Sequence, residues 1–256
     1  MKRFVKRIIG NCMINLMKAP AVRASINQEG YVCLPSHMQM LKNSDKQDDI
    51  SKYPKFGMIA KKVIDGGYTC LHYDRLYTIW QALDIVYHNA PIDTIEIGVY
   101  KGGTSRFIVD SMREISHGAR HSHHCFDTFE GHARSDISSD DMHKPGQFND
   151  ADIDAVGELI GKDGLIYPGR FEDTCSKVSG VRFCFAHLDV DLYGPTRHAL
   201  DFLASRMKDD GIIVVDDYAS TSCPGVKKAV DLFIAADPKF FSLHLLTGQA
   251  IIFRRR

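Results

Sequence analysis

From residue 92 onward the chain alternates short apolar runs with amphipathic stretches, and this regularity limits the fold more than any other feature. Ile92–Tyr100, His123–Phe129, Leu165–Phe171, Val181–Asp191 and Gly211–Asp217 read as strands. Helical spacing marks Thr104–Ile115, residues 151–161, Thr196–Met207 and residues 225–236. The run GIIVVDD is apolar up to its acids rather than alternating, as expected of a central parallel strand covered on both faces. Strand–helix alternation of this kind predicts a doubly wound α/β sheet. Two further runs, Phe240–Leu246 and Gln249–Arg254, meet at Thr247-Gly248 and read as a terminal hairpin. Upstream, a helix is predicted over about residues 56–65, ended by Gly66-Gly67. A second places Leu76, Ile79, Trp80, Leu83 and Val86 on one face.

With 256 residues the chain has room for one or two domains. Lys+Arg and Asp+Glu both number 32, which argues against a nucleic-acid binder, since such proteins carry a basic excess. Lys2, Arg3, Lys6, Arg7, Lys18 and Arg23 leave residues 1–28 wholly basic. Between them Phe4, Val5, Ile8, Ile9, Cys12, Met13, Leu16 and Met17 recur at helical spacing. A helix packed on the main domain or on a partner is expected there, with surface membrane contact through residues 1–23 as the alternative. No segment reaches the ~18 apolar residues of a membrane span. Polar residues 35–56 read as a connector, so the division is 1–55, an N-terminal helical extension and connector, and 56–256, the main domain. Seven scattered cysteines without a CxxC pair point to a reducing, cytoplasmic setting.

A parallel sheet closed by an antiparallel hairpin resembles the ending of Rossmann-like S-adenosylmethionine-dependent methyltransferases. The turn after the first strand, Glu96-Ile-Gly98-Val-Tyr-Lys-Gly102-Gly103-Thr104-Ser105, is consistent with that likeness. It lacks the GxGxxG spacing that seats a dinucleotide diphosphate. Glu96 suits a methionine ammonium or sulfonium, and Thr104 and Ser105 could donate to the ligand carboxylate. A strand–turn–helix corner with glycines used only for packing would read the same way. Asp127, ending the second strand, would accept from ribose hydroxyls, or cap the next turn. Phe129 would cover the adenine or join the core, and Gly169 and Phe171 would line the adenine pocket or form an ordinary turn.

Asp189 and Asp191 end the fourth strand, and Asp216 and Asp217 the fifth. In the methyltransferase order these strands are neighbours, about 4.8 Å apart. Acids so close raise one another's pKa unless neutralised, and a hard cation such as Mg²⁺ does this with oxygen ligands. Asp189, Asp216 and Asp217 are the expected ligands, and Asp191, further on, braces the loop. Helix capping is the competing use of such acids. His117, His121, His123 and His124 are read as surface-loop histidines in preference to a metal site. Tyr193 and Tyr218 would face the acceptor or close the core edge.

The segments TCLHYDRL, EIGVYKGGTS, FDTFEG, YPGRFEDT, HLDVDLYGPT and DDYASTSCPGVKKAVDLF together resemble the macrocin O-methyltransferase family. They run in the family's order over about residues 56–236. The resemblance implies a class I methyltransferase sheet of order 3-2-1-4-5-7-6 with the last strand antiparallel. It also implies an S-adenosylmethionine-dependent, Mg²⁺-dependent O-methyltransferase acting on a hydroxyl of a sugar or glycosylated small molecule, and a homo-oligomer is expected. By resemblance Thr69, Glu96, Gly98, Ser105 and Asp127 contact the cofactor, joined from the reading above by Gly102, Phe129, Gly169 and Phe171. Asp189, Asp216 and Asp217 hold the metal, with Asp189 also a candidate base. The chain departs from the family at Cys70, where Met is usual, at Val190, where Gly is common, and through residues 132–151, where the substrate lid is expected. An NAD-dependent oxidoreductase is disfavoured by the missing GxGxxG and the hairpin. A catalytically silent methyltransferase-like binding subunit is disfavoured by the intact acid pairs and glycine turn.

Overall fold

In the computed structural model of the chain, the described residues are 53–88, 92–117 and 121–255. The expected N-terminal helix and most of the connector lie outside them. The elements run α1 (Pro54–Asp65), α2 (Tyr73–Val86), β1 (Ile92–Ile97), α3 (Gly103–Ile115), β2 (His121–Asp127), α4 (Ile153–Ile160), β3 (Gly164–Pro168) and α5 (Phe171–Thr174). They continue with β4 (Phe183–Leu188), α6 (Tyr193–Ala204), β5 (Met207–Val215), α7 (Pro224–Ala236), β6 (Phe240–His244) and β7 (Ala250–Arg254). One 7-stranded sheet has the order β3-β2-β1-β4-β5-β7-β6. Only β7 opposes its neighbours, pairing antiparallel with both β5 and β6. This is the expected order.

Local chemistry explains the element ends. Pro54 and Pro224 open α1 and α7, where the missing N–H costs nothing. Asp152 caps α4 by accepting from the Ala155 amide at 2.9 Å. The hairpin is one residue longer than a two-residue turn: Gly248 N–H donates to Leu245 O, and Leu245 N–H to Gln249 O. Gly248 takes φ +90°, a conformation that favours glycine.

Period-two alternation sorts the central strands between two faces. Ile212 and Val214 of β5 pack with α1, α2 and α3 on one side. Ile213 and Val215 pack with α6 and α7 on the other. Burying each such side chain is worth about 1.5–3 kcal/mol, so a one-residue slip of β5 would exchange every contact on both faces. The register is therefore firmly set, and it decides what meets at the carboxyl edge.

Candidate active site

Tyr167, Phe126, Ile97, Leu188, Val215 and Ala250 stand in one register row across six strands. The next row is Pro168, Asp127, Gly98, Asp189, Asp216 and Gln249. Main-chain bonds carry the ladder into it: Gly98 N–H to Phe126 O at 2.9 Å, Asp189 N–H to Ile97 O at 3.0 Å, and Asp216 N–H to Leu188 O at 2.9 Å. A single row thus delivers the glycine turn and the acids to one edge, where open α/β sheets bind ligands. A cleft of about 310 Å³ opens over it.

The approach of β1 and β4 explains Gly98. Its φ is +91°, and a Cβ there would stand 1.9 Å from the Asp189 carbonyl oxygen. Gly103 is equally crowded, with the Tyr68 carbonyl group 2.4 Å from a built Cβ. These glycines let protein backbone approach protein backbone, bringing the Tyr68–Thr69 segment over the start of α3. Thr69 Oγ1 lies 2.9 Å from Thr104 Oγ1, and both line the cleft.

The expected site residues divide into two sets. Thr69, Gly98, Asp127, Gly169, Phe171, Asp189, Asp216 and Asp217 line the cleft. Glu96, Gly102, Ser105 and Phe129 do not. Glu96 is buried inside the sheet, where Ser105 Oγ donates to it and His187 Nδ1 lies 2.8 Å away on the adjacent strand. Gly102 faces Val156 and Ile160 of α4. Phe129 packs with Val99, Val109 and Val156. Asp127 lines the cleft and also caps the turn: Oδ2 accepts from the Val99 and Tyr100 amides at 2.7 and 2.8 Å, and Oδ1 from Phe129 at 2.7 Å. Tyr218 is buried, with its hydroxyl donating to Asp231, and neither it nor Tyr193 lines the cleft. His123 and His124 are not surface-loop residues. β2 starts at His121 and carries both into the sheet, against Thr94 Oγ1 at 2.8 Å and Tyr167 OH at 3.1 Å.

Asp189, Asp216 and Asp217 each place a carboxylate oxygen within 4.8 Å of the others. Arg75 of α2, which the residue-level reading passed over, reaches into this cluster. It donates to Asp216, to Asp217 at 3.4 Å and to the hairpin carbonyl of Thr247 at 3.2 Å. Gln249, also unanticipated, donates to Asp216 at 2.8 Å. Its place is the register row itself. Burial opposes ionisation of Asp216, but His187 and Arg75 outweigh it and hold the carboxyl below its ordinary range. Burial also opposes charge on His187, yet the Asp216 and Glu96 carboxylates push it up to about 10. Asp189 is pushed well up by burial and by Asp216, Asp217 and Asp191. Burial and the same kind of repulsion push Asp217 up to about 8.

This set fits a divalent cation. Three carboxylates meet Arg75 and the edge of His187, whose charge is shared with Glu96, and two of the three are held toward their protonated forms until more positive charge arrives. The sign of the pH dependence follows. A raised carboxyl binds a proton when folded that it lacks when unfolded, so its contribution falls as pH climbs from its ordinary range through about 8 for Asp217. His187 acts in the same direction, its stabilisation fading as pH rises toward about 10. The metal-free protein should therefore melt at a higher temperature near about pH 6 than near about pH 8.5, with Mg²⁺ narrowing the gap. Scanning calorimetry with and without chelator checks this; a metal-free profile that rises with pH would contradict it.

The strand order, with its antiparallel closing strand, and the cleft over the carboxyl edge define a Rossmann-like methyltransferase fold. The chain belongs to the macrocin O-methyltransferase family, whose profile, macrocin-O-methyltransferase (TylF), matches residues 35–255. It is a family of S-adenosylmethionine-dependent O-methyltransferases. Over 147 residues the chain is 29% identical to the 8-demethyl-8-(2,3-dimethoxy-alpha-L-rhamnosyl)-tetracenomycin-C 4'-O-methyltransferase of Streptomyces olivaceus, covering 52% of this chain and 55% of that one. It is 28% identical over 184 residues to the demethyldecarbamoylnovobiocin O-methyltransferase of Streptomyces niveus, covering 66% and 68%. The solved O-methyltransferase NovP superposes with a TM-score of 0.65 at 25% identity, covering 74% of this chain and 83% of that one. The first match spans little more than half of its relative's length. Among the described residues no helix is long and apolar enough to cross a membrane.

Proposed function

We propose that the protein transfers a methyl group from S-adenosylmethionine to a hydroxyl of a sugar or glycosylated small molecule, with Mg²⁺ at Asp189, Asp216 and Asp217. One observation carries this reading: the register row that sets Asp127 and Gly98 beside Asp189 and Asp216 in a single cleft. The two relatives are named for a rhamnosyl-tetracenomycin and for demethyldecarbamoylnovobiocin, and the rhamnosyl group of the first supports a glycosylated acceptor.

The donor supplies an electrophilic methyl carbon on a sulfonium sulfur. Asp127 would hold the ribose hydroxyls with lone pairs left over from its backbone bonds, and Thr69 and Thr104 would meet the methionine end. Phe171, which lines the cleft and packs edge-on against Phe126, would meet the adenine. Mg²⁺ would lower the pKa of the acceptor hydroxyl and favour the ionised form of Asp189. Asp189 would accept the hydroxyl proton as the oxygen takes the methyl carbon and S-adenosylhomocysteine leaves. Arg75 holds Asp216 and Asp217 in place through its bonds to both.

Donor class is tested by calorimetric titration with S-adenosylmethionine, S-adenosylhomocysteine and NAD. Micromolar binding of the first two and none of NAD is expected. Binding of NAD alone would favour an oxidoreductase, and binding of none would favour a silent subunit.

A further inference from the structure

Beside the all-oxygen triad, and meeting it at Asp217, which groups with Asp191 and Cys223, lies a cluster of different chemistry. Its parts come from three distant segments: His132 and His143 from the loop between β2 and α4, Asp191 from the tip of β4, and Cys223 at the start of α7. His132, His143 and Asp191 each offer one ligand atom, all within 4.8 Å of one another. His132 Nε2 lies 3.1 Å from Asp191 Oδ2, and His143 Nε2 lies 3.9 Å from Asp191 Oδ1. Cys223 Sγ lies 3.2 Å from His143 Nε2 and 3.5 Å from Asp191 Oδ1. A tetrahedral zinc with donors about 2.0–2.3 Å away has ligand–ligand edges of about 3.3–3.7 Å, and four of its six edges would here start from spacings of 3.1–3.9 Å.

Two observations point to a ligand beyond the bonds within the cluster, in which Cys223 Sγ donates to Asp191 and pairs with His143. The Nε2 of His132 is buried without a hydrogen-bond partner although the Asp191 carboxylate is 3.1 Å away, so the ring faces the acid without aligning on it. His143 keeps only 9% of its side-chain surface exposed, and His132 12%. Imidazole, thiol and carboxylate together suit a borderline-soft transition metal, where the neighbouring triad suits a hard one.

We propose that His132, His143, Asp191 and Cys223 form a second cation site, for a zinc-class divalent metal, which staples the 128–152 loop to the carboxyl edge of the sheet. That loop carries His132 and Phe148 into the lining of the cleft. Stapling it would give the cleft a fixed wall next to the acids proposed above to hold Mg²⁺.

The test uses the full chain, stripped with chelator and titrated with Co²⁺ in the presence of saturating Mg²⁺. One equivalent should bind with tetrahedral d–d absorption and a thiolate-to-cobalt charge-transfer band. Cys223→Ser should remove the charge-transfer band. His132→Ala with His143→Ala should weaken Co²⁺ binding about 100-fold or more, and Asp216→Asn should leave it unchanged. Circular dichroism reports whether the variants fold. X-ray absorption on wild-type protein loaded with Zn²⁺ gives an answer that needs no variant: a first shell of nitrogen, oxygen and one sulfur is expected. An all-oxygen shell, cobalt binding that survives loss of both histidines, or binding lost in Asp216→Asn would overturn the proposal.

Discussion

Asp189→Asn is expected to lower kcat by about 10²–10⁴-fold, the range for loss of a positioned general base, while S-adenosylmethionine affinity stays unchanged. The same variant should melt at a higher temperature than wild type in chelator near about pH 8. Asp189 is held well above its ordinary pKa by burial and three neighbouring acids, so its ionised form weakens the fold. The amide keeps the shape and removes the charge. A variant both more stable and inactive marks a residue kept for chemistry at a cost in stability. Steady-state kinetics and calorimetry on one preparation give both readings. Unchanged turnover would remove Asp189 from the mechanism, and a lower melting temperature would remove the electrostatic account.

Arg75→Ala should have the opposite sign in stability. The guanidinium is the arginine that bonds Asp216 and Asp217, and Asp216 keeps only 2% of its side-chain surface exposed. Breaking a buried ion pair from one side costs about 3–5 kcal/mol. At about 2–4 °C per kcal/mol for a chain of this size, a cost of 3 kcal/mol lowers the melting temperature by about 6–12 °C. Mg²⁺ should return part of that loss in the variant, and a larger share than it adds to wild type, because the cation supplies charge that Arg75 had provided. Equal Mg²⁺ shifts in the two proteins would show that the cation and the arginine do not share the same acids.

Much of this arrangement was legible in the residues. Apolar runs such as GIIVVDD located the central strands, and the terminal hairpin located the closing pair. Acids at the tips of adjacent strands followed from the order. The limits of the reading have physical causes. Glu96 sits in a strand buried on both faces, where a carboxylate must be satisfied from neighbouring strands; its partners His187 and Ser105 are far away in the chain, so it reads as a ligand-facing acid. His123 and His124 open the expected second strand, but as polar residues at its start they read as surface histidines, whereas folding buries them against Thr94 of β1 and Tyr167 of β3. Helical spacing runs through Met207, but the helix stops at Ala204 and Met207 instead pairs with Phe183 at the irregular start of β5. The third strand is expected to reach Phe171, yet β3 ends at Pro168, the chain turns at Gly169 with φ +120°, and Phe171 begins α5. Arg75 and Gln249 matter only because folding brings α2 and the hairpin against the β5 tip.

The central claim is that one edge of the sheet joins methyl donor, acid triad and acceptor hydroxyl. Its most direct test incubates the protein with methyl-labelled S-adenosylmethionine and glycoside extracts of the source cells, with Mg²⁺ or with chelator, and locates the label by mass spectrometry. The account predicts a labelled sugar methoxy group that appears with Mg²⁺ and disappears with chelator. Equal labelling under both conditions, or label on an atom other than a hydroxyl oxygen, would contradict it.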